Sequence, residues 1–310
     1  MKKILFLLTL SISILSCAHA KLNVVCALTD FADIAKTIGG DYVEVSAVSR
    51  GNEDPHFVDP KPSFIARLAK ADIAIVNGLE LDQWMDYLIE NSRNPKIQAG
   101  QLGYLNASNG LPIIEVPKLI SRSEGDLHPG GNPHYMLDPQ NGIKVAASIA
   151  EKISTLDPAH AKSYQDNLEK FKATLNTKNT EWKSLLGSLS DKRLIDYHSH
   201  SGWDYFAAAF GLSVVDTLEP KAGITPPPSH SVNLSQRIAR EKIKVLVIDP
   251  FYSSAIGERL RNDNPSLKIL ILPSASGGIG KTPHYIDMLD YNVHMIYSTL
   301  SVQAARQLGS

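Results

Sequence analysis

The residues in this chain that can do chemistry are its histidines. There are ten, and several fall in short, sharply turning segments rather than inside apolar runs. His56 lies in Asp54-Pro55-His56. His134 closes Gly131-Asn132-Pro133-His134-Tyr135 and sits ahead of a helix. His198 and His200 lie in Tyr197-His198-Ser199-His200-Ser201-Gly202-Trp203. Neutral imidazole is the commonest protein ligand for first-row divalent metals, Zn²⁺ above all. Three imidazoles and one oxygen make a four-coordinate site, and each ring needs its second nitrogen held by a carboxylate or carbonyl. Asp54, Asp59, Asp138 and Asp249 are the candidate holders.

Something must bring such distant residues together, and the patterning says what. Leu22–Leu28, Val43–Val48 and Ile73–Val76 read as strands. Phe31–Ile38, Ser63–Ala69 and Leu81–Glu90 read as the helices between and after them. The rhythm returns with strands at Arg193–Tyr197, Leu212–Thr217, Val245–Ile248 and Leu267–Leu272. Their helices are expected at Gly202–Phe210, Ser235–Glu241, Ala255–Asn262 and, last, Tyr285–Gln307. Strands alternating with helices predict βαβ units and mainly parallel sheets. Ligands bind beyond the carboxyl ends of such strands, where His56 and His200 both fall, one in each half.

Between the halves, Pro158 to about Leu186 has no internal Gly or Pro. Tyr164, Leu168, Phe171, Leu175, Trp182 and Leu185 recur at one helical face. Roughly 28 helical residues span about 40 Å, which predicts a stiff bilobal α/β molecule with the metal site in the cleft. The expected division is a signal peptide over 1–20, a first lobe over 21–157, a linking helix over 158–187 and a second lobe over 188–310.

The first twenty residues carry an export signal. Lys2 and Lys3 precede an apolar stretch from Ile4 to Leu15, and Ala18-His19-Ala20 gives the small-x-small pattern before a cleavage point. Ile14-Leu15-Ser16-Cys17 also resembles a lipobox, so a lipid anchor at Cys17 competes with cleavage after Ala20. Both place the mature chain outside the cytoplasm, in the periplasm or held at a surface. No later apolar run reaches the ~18 residues of a spanning helix. A net charge of −1 offers no global field for nucleic acid. Cys26, in an apolar run, reads as a small buried thiol.

Asp54-Pro55-His56, Asn132-Pro133-His134-Tyr135-x-Leu137-Asp138-Pro139 and His200-x-x-Trp203-x-Tyr205-Phe206 resemble the three blocks of the zinc/manganese substrate-binding proteins of ABC importers. The resemblance runs over essentially the whole mature chain. It implies two α/β lobes joined by a long helix, a monomer, and partners in a membrane permease and its ATPase. It implies His56, His134 and His200 as metal ligands, with His200 preferred over His198 because it lies five residues before Tyr205. A histidine there favours Zn²⁺ as the bound solute over Mn²⁺ or Fe²⁺.

The fourth position departs from the family pattern. The loop Leu272–Gly278, where an Asp is often found, holds no carboxylate. Asp249, Ser274, His198 or water are the candidates. A three-His site with an open position also describes catalytic zinc, so an exported zinc hydrolase with Asp249 or Glu53 as base is the alternative. An adhesin role, known in the family, is another.

Of the other histidines, His128 reads as a residue of a solvated loop, with a place at the entry to the cleft as the alternative. His160 and His294 are expected within helices, and His284 near the fourth-ligand loop. His230 is expected in a stiff Pro-rich surface loop over Gly223–His230 that can flank the metal. Glu124, Asp126 and His128 are all that answers to the long His-rich loop of many zinc-type members.

Overall fold

The computed structural model describes residues 21–117, 128–221 and 223–308. The signal-peptide reading, Cys17, Glu124 and Asp126 lie outside those residues. Two four-stranded sheets carry the fold, and both are entirely parallel. The first holds β1 (Leu22–Cys26), β2 (Val43–Ala47), β3 (Ile73–Val76) and β4 (Tyr104–Asn106), in the order β2-β1-β3-β4. The second holds β5 (Arg193–His198), β6 (Ser213–Glu219), β7 (Val245–Ile248) and β8 (Lys268–Ile271), in the order β6-β5-β7-β8. The two orders are the same order. In each, the chain reverses its direction of winding beside the first strand, and the loops leaving the two central strands flank a crevice. The expected α/β class with parallel sheets is therefore the observed one.

Helices α1 (Thr29–Gly39), α2 (Pro62–Leu68), α3 (Gln83–Ser92) and α4 (Pro139–Leu156) belong to the first half. Helices α6 (Gly202–Phe210), α7 (Pro228–Glu241), α8 (Ala255–Asp263) and α9 (Tyr285–Leu308) follow the second sheet. Between them α5 runs unbroken from Ala161 to Gly187, preceded by a 3-10 turn over Pro158–His160. Its buried face is Tyr164, Leu168, Phe171, Leu175, Trp182 and Leu186. Leu186 takes the place expected of Leu185.

Helix α5 is tied at both ends. Asn167 Nδ2 donates to the Ile38 carbonyl on α1 at 2.9 Å, and Trp182 Nε1 donates to Asp290 Oδ1 on α9 at 3.0 Å. One hydrophobic core runs through α1, α4, α5, α6 and α9 and takes in Val245, Val247 and Leu270 of the second sheet. The halves share packing and are not strung on a flexible strand. At Gly142 on α4, an added Cβ would stand 2.4 Å from Tyr285 Oη, whose hydroxyl donates to the Met136 carbonyl at 2.7 Å. That glycine lets α9 pack across the first half just below the site.

Two local expectations change. Helix α7 begins at Pro228, well before Ser235, because a proline with φ near −65° fits the first helical turn, where its missing N–H costs nothing. His230 therefore lies in the first turn of α7, not in a loop, and its Nε2 donates to the Thr217 carbonyl on β6 at 2.9 Å. His160 sits in the 3-10 turn ahead of α5 and stacks on Tyr42, with ring centroids 3.8 Å apart. Cys26 is fully buried, and burial pushes its thiol pKa up. Among the described residues no helix is long and apolar enough to cross a membrane.

Candidate metal centre

The loop leaving β2 brings in His56. Asp54 Oδ1 accepts from the His56 backbone N–H at 3.0 Å and from its Nδ1 at 2.7 Å. One carboxylate oxygen thus closes the turn and aims the ring. A carboxylate can only accept, so Nδ1 carries the proton and Nε2 keeps its lone pair for a metal. Trp84 Nε1 fixes the same turn from behind by donating to the Pro55 carbonyl at 2.8 Å. Burial pushes the Asp54 pKa up, but the hydrogen bond and charge of His56 outweigh it and hold the carboxyl below its ordinary value.

His134 arrives through Asn132. The buried Asn132 side chain accepts the His134 N–H at 3.0 Å and donates to Glu115 Oε2 at 2.8 Å and to the Ser201 carbonyl at 2.9 Å. Its own carbonyl accepts from Tyr205 Oη at 2.8 Å. Asn132 therefore joins the first half to the start of α6, and any bond it lost would leave a buried polar group costing about 1–3 kcal/mol. The rings of His56 and His134 stand 5.0 Å apart. Burial drives the His134 pKa well below the ordinary value, and the neighbouring imidazoles of His56, His198, His128 and His200 add to the shift. A ring kept neutral this way is poised to give its lone pair to a cation.

His128 joins these two. One ring nitrogen from each of His56, His128 and His134 lies within 4.8 Å of the others, a spacing that one metal ion can bridge. His128 is buried, at 7% exposure.

From the second half, strand β5 ends on His198. Its Nδ1 donates to the Ser199 carbonyl at 2.7 Å, and its Nε2 accepts from Tyr252 Oη at 3.1 Å. Tyr252 Oη also lies 3.4 Å from Asp54 Oδ2 in the other half. Burial lowers the His198 pKa, against an opposing pull from Ser199. Asp249, at the end of β7, lines the same cavity as His56, His134 and His198. Its Oδ1 is buried with no hydrogen-bond partner among the described residues. Burial raises its pKa to about 6, with Ser274 and Trp203 opposing. A buried carboxylate lining one cavity with three imidazoles is a cation-seeking arrangement.

His200 is placed differently. It has φ +59°, and its Nδ1 meets Glu115 Oε2 at 3.0 Å. The hydrogen bond to Glu115 raises the His200 pKa. It is not one of the three imidazoles that converge within 4.8 Å. Of the expected holders, Asp54 does hold a ring. Asp138 instead caps α4, accepting the Gln140 N–H at 2.8 Å, and Asp59 is exposed.

The loop after β8 is clamped onto the first half. Asp30 Oδ1 accepts the Ser276 N–H at 2.7 Å, and Thr29 Oγ1 donates to the Ser276 carbonyl at 2.7 Å. A Cβ on Gly51 would lie 2.1 Å from that carbonyl oxygen, so only glycine permits the approach. Ser274 thereby reaches the cavity that holds His56. His284 stands outside it, with Nδ1 on Asp33 Oδ1 at 2.7 Å. Sequence reasoning left out Glu115, Tyr252 and the Asp30–Ser276 clamp, because each works through a contact between residues far apart in the chain.

Comparison with known proteins agrees with this architecture. The family model described as zinc-uptake complex component A, periplasmic, matches residues 24–299. The manganese ABC transporter substrate-binding lipoprotein PsaA of Streptococcus mitis is 25% identical over 97% of this chain and 100% of its own length. The iron ABC transporter substrate-binding lipoprotein MtsA of Streptococcus pyogenes serotype M1 is 26% identical over 62% of this chain and 60% of its own. Among solved structures, a crystal structure of ZnuA superposes with a TM-score of 0.75 at 21% identity, covering 90% of this chain and 99% of that one.

Proposed function

This chain belongs to the family of periplasmic zinc-uptake complex A components, and from that membership we propose that it captures Zn²⁺ and delivers it to the permease and ATPase of an ABC importer. Metal capture for an ABC transporter is the family's role; zinc as this chain's solute is our reading. Relatives are named for manganese and for iron, so the ion must be argued from the donors.

The observation that carries the proposal is the gathering of His56, His134 and His198, the first aimed by Asp54, in a cavity lined by both halves. Nitrogen-rich four-coordinate sites suit Zn²⁺, whereas Mn²⁺ prefers oxygen-rich octahedral ones. In the proposal His56, His134 and His200 are the ligands of the loaded protein. His200 keeps Nδ1 on Glu115, in the carboxylate–histidine–metal manner, and offers Nε2. Asp249 supplies the fourth donor or holds a bound water. The lobes are 21–157 and 188–310, joined by the helical span 158–187, and 1–20 direct export to the periplasm, with Cys17 as the lipid-anchor alternative. The chain acts as a monomeric binding module; the family consists of transport components and not hydrolases.

The test is calorimetric titration of purified, chelator-stripped protein with Zn²⁺, Mn²⁺ and Fe²⁺. One Zn²⁺ per chain should bind, more tightly than the other ions, and His56→Ala, His134→Ala and His200→Ala should each weaken it. Tighter binding of Mn²⁺ or Fe²⁺ than Zn²⁺ would overturn the choice of ion.

A further inference from the structure

We infer that His128 is itself a metal ligand, and that His56, His128 and His134 form a capture site supplied wholly by the first half, which holds the ion before His200 engages it. The inference deepens the metal-capture reading and rests on it.

The observation is the difference between His128 and His200. His128 brings a ligand atom within 4.8 Å of those of both His56 and His134, and His200 does not. The ring of His128 stands 5.4 Å from that of His56 and 6.5 Å from that of His134. The three rings are tilted or edge-on to one another, with interplanar angles of 31°, 55° and 83°. None is stacked flat on another, so the cluster is not an aromatic pile. Nitrogen-bearing edges are gathered instead, a poor use of space unless something positive is shared between them.

His128 is also held where it is. It begins the turn His128-Pro129-Gly130-Gly131, closed by the Gly131 N–H on the His128 carbonyl at 3.0 Å. Proline in the second place fixes that turn. The next residue, Asn132, donates its N–H to the Ile114 carbonyl at 3.0 Å and grips Glu115 and Ser201 with its side chain. One short segment thus carries His128 and His134 six residues apart and presents both to His56. All three ride on loops of the first sheet.

His200 comes from the other half and is occupied with Glu115. Both partners have positive φ, +59° at His200 and +54° at Glu115, a conformation that side-chain-bearing residues rarely adopt. With an ion seated on the first-half triad, His200 Nε2 approaches it from the second half, while Asp54 keeps His56 in place.

The experiment uses the full mature chain with stopped-flow Zn²⁺ uptake and chelator competition, on the parent and on His56→Ala, His128→Ala, His128→Gln and His200→Ala. Metal-free melting of each variant checks folding. If His128 captures the ion, both His128 variants take up Zn²⁺ at least about tenfold more slowly or more weakly, the scale on which even an outer partner of a ligand acts. His200→Ala is impaired chiefly in retention, losing the ion faster while its uptake slows less than that of the His128 variants. Should both His128 variants match the parent in uptake and affinity while His56→Ala is impaired, the capture site is wrong and the metal-binding reading survives. A parent chain that binds no metal overturns both.

Discussion

Asp54 offers the sharpest test of how the site works, because one of its oxygens has two jobs. Oδ1 accepts the His56 backbone N–H at 3.0 Å and the Nδ1–H at 2.7 Å. Asn in its place keeps an oxygen at that position, and with it the turn and the tautomer of His56, but gives up the negative charge. Ala gives up all of them. Partners that orient a ligating histidine are worth about 10–100-fold in metal affinity, or about 1.4–2.8 kcal/mol at 1.4 kcal/mol per tenfold. Asp54→Asn should therefore sit near the lower end, with Zn²⁺ affinity down about tenfold. Asp54→Ala should approach a hundredfold, since it also loses the turn's backbone hydrogen bond, worth about 1 kcal/mol. Competition against a chromophoric zinc chelator at neutral pH reads both values. The ordering matters as much as the size. If Asp54→Asn binds Zn²⁺ as the parent does, the charge is not acting through His56 and the orienting role is refuted; if Asn and Ala are equally weak, the turn contributes nothing and the division of labour fails.

Two further outcomes follow from the same structure. Gly142→Ala should lower stability by about 1–3 kcal/mol, the usual cost of overpacking, because its Cβ would meet Tyr285 Oη at 2.4 Å and disturb the bond to Met136; a thermal melt matching the parent would sink this account of the α4–α9 contact. The metal-free protein should also lose stability on mild acidification through His134. Burial holds its folded pKa well below the ordinary value, so as pH falls below about 6.5 the unfolded chain takes up a proton that the folded chain resists. The stabilising contribution is present above that value and is lost as pH falls toward the folded pKa. Asp30, Asp82 and Asp249, each raised to about 6 by burial, work in the opposite sense. They are common to parent and variant, so the difference between parent and His134→Gln isolates His134. The parent's melting point should drop further between neutral and mildly acid buffer, and equal drops would remove the effect.

The fold was legible wherever periodicity was strong. Strand β7 and helix α6 fall where the pattern puts them, and α5 differs from expectation by a short 3-10 turn at its start. Strand β4, only Tyr104–Asn106, left no pattern to see. The start of helix α7 is hidden because three consecutive prolines read as a loop, although the last of them fits a first helical turn. At the site, His56 and His134 could be named because turn-forming Asp, Asn and Pro beside a histidine signal a ring held outside regular structure. Glu115 could not: it lies 85 residues from His200 in the chain, and nothing in its neighbourhood foretells that contact. Nor does the sequence mark His128 as a ligand, since its six-residue spacing from His134 means little until a turn folds one toward the other.

The missing carboxylate in the loop after β8 becomes intelligible once that loop's attachments are considered. In Leu272–Gly278 the polar groups that could serve a metal are serines, and Ser276 spends its backbone N–H and carbonyl on Asp30 and Thr29 of the first half. The loop acts as a strap across the two halves, with Ser274 facing the cavity. The acid lies one strand away. Asp249 presents a buried oxygen without a partner among the described residues, at the carboxyl end of β7 beside the switch in sheet order. A carboxylate there costs more to keep charged than one on a solvated loop, which is why its pKa rises to about 6. A divalent ion would reverse that cost, since it supplies the opposite charge that burial withholds. The acid then contributes most when the ion is present and least when the site is empty. That asymmetry suits a protein that must hold its ion until delivery and then release it.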